Sequence, residues 1–262
     1  MTRSVQLFHT NPNSSRGNSM RPACLFLTVT LAAVLGLGVV SVTLGAEPLL
    51  NDDFEAIETG QSIVTLDEWK GFEGFQGNVR PEAVVSEGNG VDGSKALAIS
   101  HTEPFRTDNW GVRRQLGQQI ADGVVWVQCR FKAPKTWNGG LFFDMRGEKS
   151  NQVIARIATG PYTATDSKTT TLRWHSVFTR PYWRLYTQTP IDQNWHTMTA
   201  RIDFEHRTYA CWADEESLGD ELPLTSEASF SQIHIGIAGG PHDPALIDKL
   251  IVSRLAPQGF SD

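Results

Sequence analysis

The sequence predicts an all-β protein, an antiparallel sandwich of two sheets, and three observations carry that prediction. Short segments of alternating apolar and polar residues recur from about residue 50 to 255, separated by Gly, Pro, Asn and Asp. Almost no stretch shows the three-to-four-residue spacing of an amphipathic helix. The clearest segment, Trp195 to Phe204, is followed by Glu-His-Arg-Thr and then Tyr209 to Asp214, which reads as two strands joined by a tight polar turn. In its first strand His196, Met198, Ala200, Ile202 and Phe204 share one face, and Thr197, Thr199, Arg201 and Asp203 the other, the period of a half-buried strand.

Taken in order, strands are expected near 50–55, 62–66, 82–86, 95–101, 109–116, 123–133, 140–146, 152–159, 171–178, 182–188, 195–205, 208–213, 231–238 and 247–254. Val125, Val127, Cys129 and Phe131 alternate with Trp126, Gln128 and Arg130. Ile233, Ile235 and Ile237 alternate with His234 and Gly236. Turns are marked by Glu87-Gly-Asn-Gly90, Asp92-Gly93 and Asn138-Gly139-Gly140. Asp214–Gly219 and Pro244–Leu246 are the two short helix candidates. Thr159 to Thr170, rich in Gly, Pro, Thr and Ser, reads as a hairpin tip.

Residues 1–46 stand apart. The first 23 residues are polar, with Arg3, Arg16 and Arg21 and no acid; Leu25 to Leu44 is almost wholly apolar, and Gly45-Ala46 follow. This pattern fits a signal peptide cleaved near Ala46, or an N-terminal membrane anchor if the apolar run is retained. Both readings make residues 47–262 an exported domain: secreted, periplasmic or on the cell surface. Its 216 residues suffice for one sandwich with a large core. Losing three arginines and no acid takes the net charge from −6 to −9, which speaks against nucleic acid as a general partner. Cys129 and Cys211 each fall inside a predicted strand, where a disulfide and two buried thiols are both open readings. Cys24 precedes the apolar run.

The hairpin at Trp195–Asp214 resembles one found in concanavalin A-like (laminin G-like) jelly rolls, where a Trp opens a strand ending in Asp-Phe. Asp52-Asp-Phe-Glu55 with Gly60 resembles their opening strand, Gly93 to Ser100 their next long strand, and Ile247 to Ser253 the closing strand that returns beside the first. The resemblance covers roughly residues 50–255 and implies an exported bacterial lectin or glucanase-like sandwich. It also implies a structural Ca²⁺ between first and last strands, with Asp53, Glu55 and Asp248 at the matching positions.

For function, the expected partner is an extracellular polysaccharide, an acidic one among the candidates. Arg173, His175, Arg180, Tyr182, Trp183, Arg184 and Tyr186 form the candidate carbohydrate-binding set, because aromatic faces stack on sugars and Arg pairs bidentately with carboxylate or sulfate. Only part of this run can point outward, since Arg173 and His175 alternate with Trp174 and Ser176. Trp69, Trp110 and Trp137 fall near turns or strand ends, where exposed aromatic platforms sit; Trp126, Trp195 and Trp212 fall within strands and are expected to pack. An enzyme of the same fold is the alternative. The paired carboxylates of a glycosidase strand are missing, with Asp53-Phe-Glu55-Ala-Ile-Glu58 the nearest approach. Arg113-Arg-Gln-Leu116 and Gln232-Ile-His234 resemble two motifs of jelly-roll alginate lyases, although on plain alternation Gln232 and His234 line a solvated face. A third reading is an adhesion module that meets protein through an apolar patch.

Overall fold

The computed structural model describes residues 47–72, 82–101, 110–133, 140–149, 152–163, 170–177, 183–185, 191–238 and 242–260. Residues 1–46, read as signal or anchor, lie outside that set; among the described residues no helix is long and apolar enough to cross a membrane. Strands are numbered in chain order. The first eight are β1 Leu50–Asp52, β2 Trp69–Phe72, β3 Glu82–Ser86, β4 Ala96–His101, β5 Trp110–Ile120, β6 Val124–Lys132, β7 Gly140–Arg146 and β8 Val153–Thr163. They continue as β9 Thr170–Val177, β10 Trp183–Leu185, β11 Trp195–Asp203, β12 Thr208–Ala213, β13 Glu216–Ser217, β14 Leu222–Pro223, β15 Phe230–Ala238 and β16 His242–Ser253.

These strands make two antiparallel sheets. The first runs β13-β12-β11-β6-β16-β4-β3, with β1 on β16 and β14 on β12; the second runs β10-β9-β8-β7-β15-β5-β2. The closing strand lies beside the opening one, Leu50 opposite Val252, as the resemblance implies. β4 and β1 therefore follow each other along one edge of β16, while β6 takes its other edge.

Alternation in the sequence decides which face is buried. Val125, Val127, Cys129 and Phe131 of β6, with Met198, Ala200 and Ile202 of β11, are fully enclosed. They face Leu141, Phe143 and Met145 of β7 and Ile233, Ile235 and Ile237 of β15, which are also enclosed. The Phe131 and Phe143 rings meet across the interface at 5.6 Å. Enclosure of this many apolar side chains, each worth about 1.5–3 kcal/mol, is what holds the layers together.

Several details depart from expectation. Residues 63–65 form a single 3-10 turn where a strand is expected, with Ser62 making one bridge to Val84. The short strands β2 and β14 are not foreseen, and Thr159–Thr163, expected in a hairpin tip, continue β8. Pro244–Leu246 is no helix but part of β16, and Pro244 sits at a register shift between His242 and Ala245, where its missing N–H breaks no ladder bond. Asp214–Gly219 is also not helical: Asp214 and Glu215 take left-handed φ values of 48° and 70°, and the chain turns back into β13.

Cys129 and Cys211 are free and buried. β6 and β12 each pair with β11 and not with each other, and Cys129 stands opposite Met198 while Cys211 stands opposite Ala200, so their Cα atoms are more than two strand spacings, about 9–10 Å, apart. A disulfide needs Cα atoms closer than about 7 Å. Burial pushes both thiols well above their ordinary pKa, so neither is a reactive thiolate.

The β11–β12 hairpin carries a pH-sensitive tie. His196 Nδ1 lies 2.6 Å from Asp214 Oδ2 and its Nε2 lies 3.2 Å from Asp192 Oδ1. The hydrogen bond to Asp214 raises the imidazole above the ordinary 6.5, against an opposing effect of burial. A raised histidine stabilises the fold fully below the unfolded-state value near 6.5, and that contribution disappears as pH climbs through the folded value. The melting temperature is therefore expected to decline above neutrality, and His196→Gln to flatten that decline. Parallel thermal curves for the two proteins from pH 6 to 9 would refute the tie.

Candidate functional site

The second sheet presents a polar row on its outer face. On β7, Leu141, Phe143 and Met145 point into the core, so Phe142, Asp144 and Arg146 point away. The same parity on β15 turns out Gln232, His234 and Gly236, on β5 Gly111, Arg113 and Gln115, and on β8 Arg156 and Ala158. Register then aligns four strands: Arg113 opposite His234, His234 opposite Asp144, Asp144 opposite Arg156. A neighbouring row aligns Gln115, Gln232 and Arg146.

Asp144 is fully enclosed and is clamped by two guanidinium groups. Arg146 Nε donates to Asp144 Oδ2 at 2.8 Å, and Arg156 bonds both carboxylate oxygens. Burial alone would raise this carboxyl, but Arg156 and then Arg146 outweigh it and hold the group below the ordinary value of 3.8. Arg156 also lies over the Phe142 ring at 5.0 Å. Gly236 sits under that same ring, since a Cβ there would fall 1.9 Å from Phe142 Cζ.

Gln232 is fixed from both ends. Its amide nitrogen donates to the carbonyls of Gly147 and of Glu148, the latter at 2.9 Å. Its Oε1 accordingly faces Gln115 Nε2 at 3.1 Å and His234 Nε2 at 3.2 Å. An acceptor oxygen there requires the proton on His234 Nε2, which leaves the ring's lone pair on Nδ1. Burial first, and then the field of Arg146, lowers His234 to about 3, so the imidazole is neutral. Among the described residues, this row and Arg146 beside it thus place three guanidinium groups around one carboxylate. Arg113 Nε is buried and has no acceptor among the described residues.

The lyase-like segments are thereby brought together: Arg113, Gln115, Gln232 and His234 sit on adjacent strands. Gln232 and His234 do lie opposite the core, but they are 0% and 1% exposed rather than solvated. Arg114 belongs elsewhere, paired with Asp52 at 2.6 Å beside Trp69. Asp144, Arg146 and Arg156 were not singled out by sequence reasoning, although charges interleaved with Leu, Phe and Met on a predicted strand were a usable signal.

Of the sequence-predicted carbohydrate set, Arg173, His175, Trp183 and Arg184 have described backbones, and nothing is described of their side chains; Arg180, Tyr182 and Tyr186 lie outside the described residues. Register pairs His175 with Ala158 and Arg173 with Gly160, which extends the Gly236–Phe142–Ala158 row onto β9. Trp69 is no exposed platform: it is 2% exposed and packs on Phe54 at 6.1 Å. Trp126 and Trp212 stack at 5.6 Å, as strand tryptophans were expected to pack.

Asp53, Glu55 and Asp248 each have donors of their own. Asp53 Oδ1 accepts from the Glu55 N–H at 3.2 Å, Glu55 Oε1 from the Lys95 N–H at 2.7 Å, and Asp248 from Ser94 Oγ at 3.2 Å. The Lys95 ammonium donates to the carbonyls of Glu55 and Ile57 at 2.9 and 2.7 Å, the kind of oxygen a Ca²⁺ would take. Among the described residues no group of three His, Cys, Asp or Glu side chains converges as a metal would require.

No protein-family model matches this sequence, and no curated protein matches it either. Solved structures do match its fold. A carbohydrate esterase of the Shiga toxin-encoding bacteriophage phi24B is 20% identical over 79% of this chain and 98% of its own, with a TM-score of 0.55. The globular domain of T. cruzi calreticulin is 10% identical over 80% and 89%, with a TM-score of 0.54. A GH131 β-glucanase catalytic domain from Podospora anserina is 13% identical over 80% and 97%, with a TM-score of 0.51. The chain therefore has the two-sheet antiparallel jelly-roll fold of these structures. At these identities the likeness fixes the architecture, and the activity has to be argued from the site.

Proposed function

We propose that this domain is exported, with residues 1–46 as signal or anchor, and binds an acidic polysaccharide across the outer face of its second sheet. The observation that supports this most is the row Arg113, His234, Asp144, Arg156 with Arg146 beside it, an excess of fixed positive charge among the described residues, of which Arg113 Nε meets no acceptor. Uronate carboxylates or sulfates on a polymer supply the missing acceptor, and Arg meets them in a two-pronged geometry that a neutral sugar does not offer. The neighbours' names, an esterase and a glucanase among them, agree with a carbohydrate partner.

A hydrogen bond to a charged group contributes about 1.5–3 kcal/mol, so Arg113→Ala is expected to weaken retention roughly 10- to 100-fold. Affinity gel electrophoresis in alginate or pectate, against a neutral β-glucan gel, measures this. Equal mobility in all gels, or an unaffected folded Arg113→Ala variant, would end the proposal.

A second reading, β-elimination on the bound uronate, is favoured by the convergence of Arg113, Gln232 and a neutral His234. Arg113 and Gln115 would neutralise the carboxylate, and a base would take the C5 proton. The C4–O4 bond then breaks, the leaving oxygen is protonated, and a C4=C5 double bond remains. On its own His234 is a weak base, because burial and its arginine neighbours depress it; a uronate carboxylate beside it would cancel part of that field and raise it. Ultraviolet absorbance from unsaturated chain ends, lost in His234→Gln, is the expected result. Intact polymer after prolonged incubation leaves binding alone.

A further inference from the structure

The first sheet carries a cleft of about 400 Å³ on its own outer face, remote in the fold from the basic row. Its floor follows from register: Thr199 lies opposite Gln128, and Gln128 opposite Ile251. Gln128 Nε2 donates to Thr199 Oγ1 at 3.2 Å, which presents an oriented amide upward. The C-terminal segment supplies one wall. Phe260 packs on Trp126 at 5.5 Å and edge-on to Trp212 at 5.2 Å, so its ring is held in place beside the floor. The Asp214–Glu215 turn supplies another wall, and a Cβ built on Gly259 would lie 3.9 Å from Glu215 Oε1, so turn and tail meet along the cleft. Arg130 and Lys249, paired in register, complete the lining.

Two features make this a site instead of a crease. The volume falls in the range of small-ligand sites, about 300–1,000 Å³, and the lining mixes an aromatic ring with amide, hydroxyl and charged groups. In addition, Glu215 holds a left-handed φ of 70° at a turn position where Gly or Asn would be relaxed. The two-residue turn between β12 and β13 thereby holds the Glu215 side chain on the cleft. The charges distinguish this cleft from the basic face: Arg130 and Lys249 are matched by Asp214 and Glu215, so a polyanion gains nothing here. A neutral sugar does gain, because its C–H face stacks on Phe260 while its hydroxyls reach Gln128, Glu215 and Arg130.

We propose that this cleft is a second glycan site, for a neutral oligosaccharide segment of roughly two sugar units, so that the domain engages polysaccharide from both sheets. It shares with the function proposed above only the premise of a carbohydrate partner. The test is calorimetric titration of the full chain with cellohexaose, laminarihexaose, xylohexaose and mannohexaose, alongside the polyuronate gels. At least one hexaose is expected to bind, with Gln128→Ala and Phe260→Ala each weakening it tenfold or more and leaving polyuronate retention intact. Arg113→Ala is expected to do the reverse. Glu215→Gly is expected to raise the melting temperature by about 2 °C while weakening the hexaose. The proposal is overturned if no hexaose binds, if a folded Gln128→Ala protein binds undiminished, or if Arg113→Ala abolishes hexaose binding. Hexaose binding without polyuronate retention would sink the basic-face reading and leave this one standing.

Discussion

Replacing Asp144 with alanine is expected to destabilise the domain by about 3–5 kcal/mol, the range for removing one partner of a buried ion pair. The carboxylate is 0% exposed, and the two arginines it serves are only 13% and 18% exposed. Without it, two guanidinium groups remain side by side, poorly hydrated and mutually repelling, with Arg113 close by on the same row. For a domain of this size each kcal/mol moves the melting temperature by about 2–4 °C, so a drop on the order of 10 °C should be visible by circular dichroism. Asp144→Asn keeps the shape and some hydrogen bonds and should cost less. The sign of the acid response follows from the lowered carboxyl: its contribution is present above the ordinary 3.8 and is lost as pH falls through the depressed value. The acid limb of the wild-type stability curve should therefore be shallower in Asp144→Asn. A loss under 1 kcal/mol for alanine would show that water reaches the arginines and that the clamp is cosmetic.

Phe143→Ala is expected to cost a comparable 3–5 kcal/mol, for a different reason. Phe143 is fully enclosed on β7, and its ring meets Phe131 of the opposite sheet at 5.6 Å. Truncation opens a void between layers that neither sheet can close without breaking its own ladder. Urea titration of Phe143→Ala, Phe131→Ala and the double variant should return a coupling of about 0.5–1.5 kcal/mol between the rings. Additive costs would mean that the two rings do not touch in solution. Because Phe143 sits between Phe142 and Asp144, its loss should also loosen the outer row and weaken polyuronate retention in the folded fraction.

The contrast between these two residues shows what a sequence exposes. Phe143 was legible: on a predicted strand it shares its face with Leu141 and Met145, opposite in parity to Asp144 and Arg146, and burial follows from period two. The Trp195–Asp214 hairpin and the isoleucines of β15 were legible on the same ground. Trp69 was not, because Trp-Lys-Gly-Phe is too short to show alternation, and only contact with Phe54 and Arg114 reveals that it is core. The left-handed turn at Asp214–Glu215 reads as helical in sequence because three acids, Asp214, Glu215 and Glu216, ahead of Leu218 mimic a helix start, while φ is invisible in composition. The basic row was half legible. That Asp144 and Arg146 point away from the core follows from parity. That Arg113, His234, Asp144 and Arg156 stand in one line follows from register among β5, β15, β7 and β8, whose partners lie as far apart in the chain as Arg113 and His234. No local pattern encodes that alignment.

The position of β16 has a kinetic consequence. This strand sits between β6 and β4 in the first sheet and also receives β1, so the β13-β12-β11-β6 and β4-β3 halves of that layer and the opening strand are joined only through it. Pairings such as Leu50 with Val252 must close loops of nearly the whole domain before any contact rewards them. High contact order of this kind slows collapse to the native state into the millisecond-to-second range. The domain consequently stays pliable until β16 slots in between β6 and β4 and receives β1.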